Sequence, residues 1–449
     1  MTEGKKLEMA GSEAAGISNA NIREEESLPN VLRAAAKLLS QGYVCDRCLG
    51  RAFSKLLHGL ANEQRGRAIR DTMALIIEAD NSLHLHRDNF KRYQFRSVKI
   101  EHGPEGACFF CMNIFDDLIP YLLTEALSKT KAYEFETFLV GTRLSKELHE
   151  KDTLLQNLSE YGESLRDEVD RLVGKRIEEA YGRPVQHDNP ELFLLIDLQS
   201  KRVRIKPKSI YVYGGYKKLR RGIPQTAWHC RVCGGKGCRR CNWTGKLYRT
   251  SIQQIIERPL LRKAKGEGSS FHGAGREDID VRCLDYRPFI IEILNPRKRR
   301  IDLKKAENEI NKSRSVQVSE LKFANKNDIA FVKESRNDKV YHATVTFSRK
   351  VEDGDLAKLN LLRGAIVKQK TPTRVLHRRA DIFRERRIND LKFKRLDDKR
   401  IDLTIECEAG TYVKELISGD SSRTKPSVAG LLNNNVKKIV LDVIRIKER

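Results

Sequence analysis

The sequence predicts an α+β protein in two parts. An N-terminal part, a metal-stapled helical module followed by an α+β layer, precedes a second α+β domain built on a larger sheet. Three observations predict this. At 449 residues the chain is long enough for two or three domains. Helix-period apolar patterns mark its first part, whereas β-branched runs of strand length recur after residue 250. Ten cysteines include four CxxC pairs, two of them adjacent at the point where the pattern changes.

The elements follow in order. Residues 1–27 are small and charged and read as a disordered tail, with no apolar stretch to serve as a secretion signal. From Leu28, Val31, Leu32, Ala35, Leu38 and Leu39 recur on one helix face, and Gly42 marks the stop. Phe53, Leu56, Leu57 and Leu60 predict a second short helix. Tyr133 to Leu144 reads as a strand, and Leu165, Val169, Leu172, Val173 and Ile177 as the face of a long helix. Leu192 to Leu198 suits a buried strand, and Val203 to Tyr213 a looser one followed by basic residues including Lys217, Lys218, Arg220 and Arg221. This places an accessory region at 28–228, a Cys/Gly-rich joint at 229–245 and a second domain at 246–449. Within the latter, strands are expected at Phe289 to Leu294, Val340 to Phe347, Arg400 to Cys407 and Ile439 to Ile446. Lys304 to Asn337 is charged and weakly periodic, and its pattern assigns no element.

A net charge of +25 calls for a polyanionic partner, most simply nucleic acid. No apolar run of about 18 residues exists, which excludes an ordinary membrane-spanning helix. A cytoplasmic protein with reduced thiols is expected, so the cysteines read as metal ligands before disulfides. Cys230, Cys233, Cys238 and Cys241 form CxxC-x4-CxxC, with glycines that let the backbone turn around one ion. Four thiolates match the closed shell of structural zinc, which leaves no place for water. Cys45 and Cys48 pair with Cys108 and Cys111 by the same logic across a longer gap; the bland reading is four small buried side chains. One or two structural zinc ions are therefore expected. Cys283 and Cys407 sit in apolar strand contexts and read as core.

The segment FHGAGREDIDVR, leading into RPFIIEIL, holds Glu277, Asp278 and Asp280. Taken alone it is a charged turn before a buried strand. GREDIDVR followed by RPF resembles, however, the catalytic motif of the tRNA pseudouridine synthase family called Pus-ten. SIYVYGGYKKLRRGIPQT (209–226), FETFLVGTRL (135–144), KQKTPTRVLHRRADIFRERR (368–387) and EAGTYVKEL with GD and RTKP (408–426) are similar as well, in order along the chain. The four-cysteine motif resembles the archaeal members. The resemblance implies an accessory region, with a zinc module and a THUMP-type RNA-binding fold, then a pseudouridine synthase domain on a mixed, mainly antiparallel sheet flanked by helices. It implies isomerisation of tRNA T-loop uridines, at positions 54 and 55, without a catalytic cofactor.

Residue by residue, the resemblance makes Asp278 the catalytic aspartate and Tyr341 the ring that stacks on the target base. It makes Lys414 the cation that pairs with the aspartate, and Leu441 the apolar wall of the pocket. Tyr412 and Val413 flank Lys414 and shape the site. A carboxylate in a dry pocket needs a nearby cation to remain ionised, and stacking contributes about 1–3 kcal/mol per base. The uridine must be flipped out to be reached. Without the resemblance, Tyr341 and Leu441 read equally well as sheet core, and Lys414 as a solvated charge. Arg374, His377, Arg378, Arg379, Arg384, Arg386 and Arg387 form a dense basic cluster suited to phosphates, which the resemblance places in a loop beside the site. Arg297 to Arg300 form another. Asp285-Tyr286-Arg287 stands where the family has a longer glycine-containing turn, so a different turn is expected there. The chain is expected to act on tRNA as a monomer. Rival readings are another THUMP-bearing enzyme, for which no nucleotide-binding glycine loop is found, and a non-catalytic zinc-containing RNA-binding protein of a ribonucleoprotein.

Overall fold

The computed structural model describes residues 29–79, 85–100 and 106–447. The tail expected over 1–27 lies outside the described residues. The chain divides into two compact units, Met1–Pro207 and Lys208–Arg449.

The first unit runs α1 (Asn30–Leu39), α2 (Asp46–Arg51), α3 (Asn62–Ala79), α4 (Leu118–Thr130), β1 (Phe138–Arg143), α5 (Lys146–Leu158), α6 (Leu165–Tyr181), β2 (Leu192–Asp197) and β3 (Arg202–Pro207). The face that predicted α1 buries Ala35, Leu38 and Leu39. No helix forms over 53–60. Leu57 adopts a left-handed φ of 51° and is exposed. The carbonyls of Leu56, Leu57 and Leu60 accept from the Arg65 guanidinium in place of a helical ladder. Ser145 and Ser164 cap α5 and α6 by accepting from Leu148 and Asp167 N–H. β2 lies between β1, to which it is parallel, and antiparallel β3. Fully buried Arg51 joins the cysteine module to α5 and α6 through Asp152 at 2.5 Å and Glu168 at 3.5 Å. That guanidinium tolerates burial because two buried carboxylates offset its charge.

The second unit runs β4 (Ile210–Lys218), α7 (Ile252–Ala264), β5 (Gly268–Gly273), β6 (Arg282–Leu294), α8 (Leu303–Asn311), β7 (Val316–Ala324), α9 (Asp328–Glu334), β8 (Asp338–Phe347) and α10 (Asp353–Leu356). It continues through β9 (Ile366–Lys370), β10 (Phe383–Arg395), β11 (Arg400–Cys407), α11 (Val413–Ser418), β12 (Thr424–Lys425), α12 (Val428–Leu431) and β13 (Val436–Lys447). The strand order is β12-β9-β10-β11-β8-β13-β6-β4-β7, with β5 also on β6. Every pairing is antiparallel except β13 with β6, so the sheet is mixed and mainly antiparallel as expected. One hydrophobic cluster packs α7 and α8 on the β4–β7 half. A second packs the β8–β11 half beneath α11 and α12.

Val203 to Tyr213 is therefore not one strand. β3 ends at Pro207, which lacks the N–H a central ladder needs, and β4 pairs instead with β6 and β7 of the other unit. The boundary consequently falls at 207/208, not 228. The four-cysteine segment is an excursion between β4 and α7 inside the second unit, not a joint between domains. The charged stretch 304–337 resolves into α8, β7 and α9, whose short lengths blur any periodicity.

Candidate active site

The loop 274–281, between β5 and β6, is fixed from below by the end of β4. Buried Lys218 donates from Nζ to the carbonyls of Asp278 at 3.0 Å and Ile279 at 2.9 Å. Arg221 donates to the Asp280 carbonyl at 2.7 Å and the Leu441 carbonyl at 2.6 Å, and Gly222 N–H to Ile279 at 2.8 Å. Basic residues that composition alone would give to a polyanion thus serve partly as backbone clamps. Burial draws the Lys218 ammonium down to about 8, against the upward pull of Glu277 and Asp280. Glu277 is buried in an ion pair with Arg287 at 3.0 Å and accepts from the Tyr216 hydroxyl at 3.0 Å. The Asp285 stretch is not a turn but a bulge in β6. Cys283 stands opposite Lys218 and Arg287 opposite Tyr216, so three residues of β6 face one of β4.

Above this base Glu277 points inward and Asp278 outward, its side chain 34% exposed. Asp278 lies between two cations, Arg374 Nη1 at 2.9 Å and Lys414 Nζ at 3.3 Å. The shorter contacts of Lys414 go to Asp280, at 2.7 and 2.8 Å. Burial alone would raise Asp280, but the Lys414 ammonium holds it below the usual carboxylate range. Arg374 also donates from Nε to buried Glu415 at 2.7 Å. Lys414 and Glu415, in the first turn of α11, therefore steer Asp278 from two sides. Arg374 was legible in the sequence only as one member of a basic cluster.

Tyr341 on β8 pairs in register with Val443 on β13, and Leu441 with Ala343. Opposed residues of antiparallel strands share a face, and Tyr341, Leu441 and Val443 all line one cleft with Asp278. Burial pushes the Tyr341 phenol up. Tyr412 lines it too, held by a side chain the sequence gave no reason to notice. Fully buried Gln369 on β9 donates to the Tyr412 carbonyl at 3.0 Å and accepts from its N–H at 2.9 Å. The Tyr412 hydroxyl accepts from Arg379 at 2.8 Å.

The cleft, of about 980 Å³, is also lined by Arg374, Arg379, Arg384, Arg386 and Lys339. The cluster 374–387 is not one loop: 373–378 is a short 3-10 turn, whereas Arg384, Arg386 and Arg387 ride on β10. His377 and Arg387 are exposed and stand outside the cleft lining, and the Arg378 side chain lies outside the described residues. Arg297 to Arg300 follow β6 outside that lining.

Both cysteine sets converge. The Sγ atoms of Cys45, Cys48, Cys108 and Cys111, and likewise those of Cys230, Cys233, Cys238 and Cys241, lie within 4.8 Å of one another. Recorded Sγ separations of 3.7–3.9 Å are too long for disulfides. They match the edge of about 3.8 Å that a tetrahedron with Zn–S of about 2.3 Å requires. The backbone N–H groups of Gly237 and Gly245 point at Cys233 and Cys241 sulfurs at 3.2 and 3.3 Å, as thiolate acceptors want. Each set could hold one zinc ion. Cys283 and Cys407 are buried in strands, and burial pushes both thiols up, to about 11 and about 12.

A carboxylate flanked by cations, beside an aromatic face in an arginine-lined cleft of a mixed sheet, suits a polyanionic substrate with a flat ring to stack. Comparison with known proteins narrows the class. The family model "Pus10, C-terminal" matches residues 211–447, and "Pus10 THUMP domain, archaeal" matches 122–197. The tRNA pseudouridine synthase Pus10 of Methanothrix thermoacetophila is 39% identical over 430 residues, covering 93% of this chain and 94% of that protein. That of Methanocaldococcus jannaschii is 38% identical over 431 residues, covering 92% and 94%. A chain of a Cbf5-Nop10-Gar1 complex matches 52% of this chain and 50% of its own at 14% identity and a TM-score of 0.29, too distant to support an argument. The chain belongs to the Pus10 family, and it is a pseudouridine synthase.

Proposed function

We propose that this chain isomerises uridine in the T-loop of tRNA, at position 54, 55 or both, with Asp278 as nucleophile. The observation that carries the reading is the placement of Asp278 between Arg374 and Lys414 on the floor of a cleft with Tyr341 and Leu441. Pseudouridine is an isomer of uridine: the bond from N1 to the sugar C1′ breaks, the base turns, C5 bonds to C1′ and loses its proton, and N1 gains one. No redox partner or second substrate enters. What the protein must supply is a charged carboxylate where RNA excludes water, and two cations beside it offset the cost of that charge. Tyr341 offers the flipped base a stacking face, and Leu441 with Val443 closes the apolar side. Arg379, Arg384 and Arg386 hold phosphates and thereby fix the strand without reading bases. The relatives' name supports tRNA as the substrate. With the THUMP unit as a further RNA grip, a monomer suffices. Each cysteine set would hold one structural zinc ion in a closed shell of four thiolates, which leaves the metal no position for substrate or water.

Pseudouridine mapping on an unmodified tRNA transcript, by carbodiimide adducts and primer extension, tests the proposal. Wild type should give stops at one or both T-loop uridines. Asp278→Asn should abolish them, with tRNA binding at fixed salt kept within about threefold. Stops that persist in Asp278→Asn remove the aspartate from the chemistry. Absence of stops with wild type, despite binding, removes the activity.

A further inference from the structure

The four-cysteine loop presents more charge and aromatic surface than a structural zinc site requires. Between Asp197 and Glu257 the sequence contains no acidic residue. Arg231, Lys236, Arg239, Arg240, Lys246 and Arg249 fall on or beside the loop, and all but Lys246 are exposed. The side chains of all six make no hydrogen bond or ion pair among the described residues. Subtracting the double negative charge of a tetrathiolate zinc centre still leaves the loop strongly positive.

Trp243 projects from the same loop, 76% exposed. Its backbone is not free to tuck the ring away. It takes a left-handed φ of 61°, and its N–H donates to the Cys238 carbonyl at 2.9 Å. Its carbonyl lies so close to Gly237 that a Cβ there would approach to 2.9 Å. A large ring held outward on a ligand-stapled backbone buries little apolar surface, so it adds nothing to the fold. It is well made for stacking, which is tolerant of base identity.

The loop also has the right root. Trp228 and Arg276 line the cleft, with the guanidinium 5.3 Å from the Trp228 ring centre. Leu247 N–H donates to the Trp228 carbonyl at 2.8 Å, and His229 pairs with Lys246 in an antiparallel bridge. The loop is thus a hairpin rising from the cleft rim, and a strand leaving the cleft past Arg276 meets it.

We propose that this loop is a second RNA-binding surface. It takes a single-stranded nucleotide beside the target, with its base on Trp243 and its phosphates on Arg239, Arg240 and Lys236. The inference rests on the reading of the cleft as an RNA site. Full-length wild type, Trp243→Ala, Trp243→Phe and the Arg239→Ala/Arg240→Ala double variant are titrated with an unmodified tRNA transcript at several salt concentrations. Tryptophan emission and pseudouridine formation are read in parallel. Trp243→Ala should weaken binding by roughly 5- to 100-fold, and Trp243→Phe should recover most of the loss. The double arginine variant should lower the slope of log affinity against log salt by about 1.4. With two tryptophans in the chain, the difference in emission between wild type and Trp243→Phe isolates Trp243, which tRNA should quench. Unchanged melting temperatures keep misfolding out of the comparison. If wild type modifies the transcript while the variants bind it equally well and Trp243 emission does not respond, the loop faces some other partner. The inference then fails and the activity stands. If wild type neither binds nor modifies tRNA, both fail together.

Discussion

Lys218 is an unusual lysine for a protein this basic, since it is buried and spends its charge on two backbone carbonyls of the loop that carries Asp278. Its folded value of about 8 lies below the ordinary 10.5. Between those values the unfolded chain binds the proton and the folded chain does not, so stability rises with pH across that window and falls as pH drops through 8. Lys218→Met deletes this dependence. Wild type should therefore gain thermal stability relative to Lys218→Met between pH 7 and pH 10, read as the gap between their melting temperatures. A gap that is flat or narrows in the opposite sense contradicts the assignment. The same variant should slow pseudouridine formation roughly tenfold with tRNA affinity kept, because the ammonium holds the loop and not the substrate. At this scale the short strings carried a family resemblance rather than a chemistry of their own. Asp278, Tyr341, Tyr412, Lys414 and Leu441 were named through it, and the fold brings all five to one cleft. Arg374 beside Asp278 and Gln369 behind Tyr412 are pairings across 96 and 43 residues. No local pattern encodes such distances.

Two elements of similar sequence, the CxxC pairs, sit in physically different surroundings. Cys48, Cys108 and Cys111 belong to the hydrophobic cluster of the first unit, packed among Leu49, Phe53 and Phe110. The loop 229–246 contributes no side chain to the hydrophobic clusters of the second. Metal analysis should find two zinc ions per chain, and Cys48→Ser and Cys238→Ser should each lose one. Their effects on folding should diverge. Cys48→Ser leaves buried thiols and a hydroxyl without an ion and should unfold much of the first unit, visible as lost helical circular dichroism. Cys238→Ser should keep the secondary structure of its unit and lose only the order of the loop. Equal damage from both, or full zinc in either, contradicts the division. CxxC spacing made both sites legible because two intervening residues fix where sulfurs can go. The helix expected over 53–60 was misread because apolar spacing says nothing of a guanidinium waiting to bind the turn's carbonyls.

Across the whole molecule the decisive strand is β4. Composition makes 209–226 look like the basic end of an accessory domain. The hydrogen bonds place β4 between β6 and β7, with Val212 and Tyr216 fully buried in the second core. Strand partners are set by long-range register, which the pattern of one strand cannot reveal. Fragments separate the two boundaries. Residues 208–449 contain a complete sheet, its cores and the cleft, and should fold cooperatively. Residues 246–449, which start where the composition changes, lack β4 and leave β7 with no neighbour and a buried face open. Losing Val212 and Tyr216 alone forfeits roughly 3–6 kcal/mol of burial, comparable to the whole stability of many domains. That fragment also lacks Lys218 and Arg221, so the loop carrying Asp278 has nothing beneath it. It should be insoluble or melt without a transition, whereas 208–449 should melt as one unit. The longer fragment should still form pseudouridine at high enzyme concentration with a raised KM, since it keeps the cleft but not the THUMP unit. A cooperative transition in 246–449 would mean that β4 is dispensable and that the domain does begin where its composition changes.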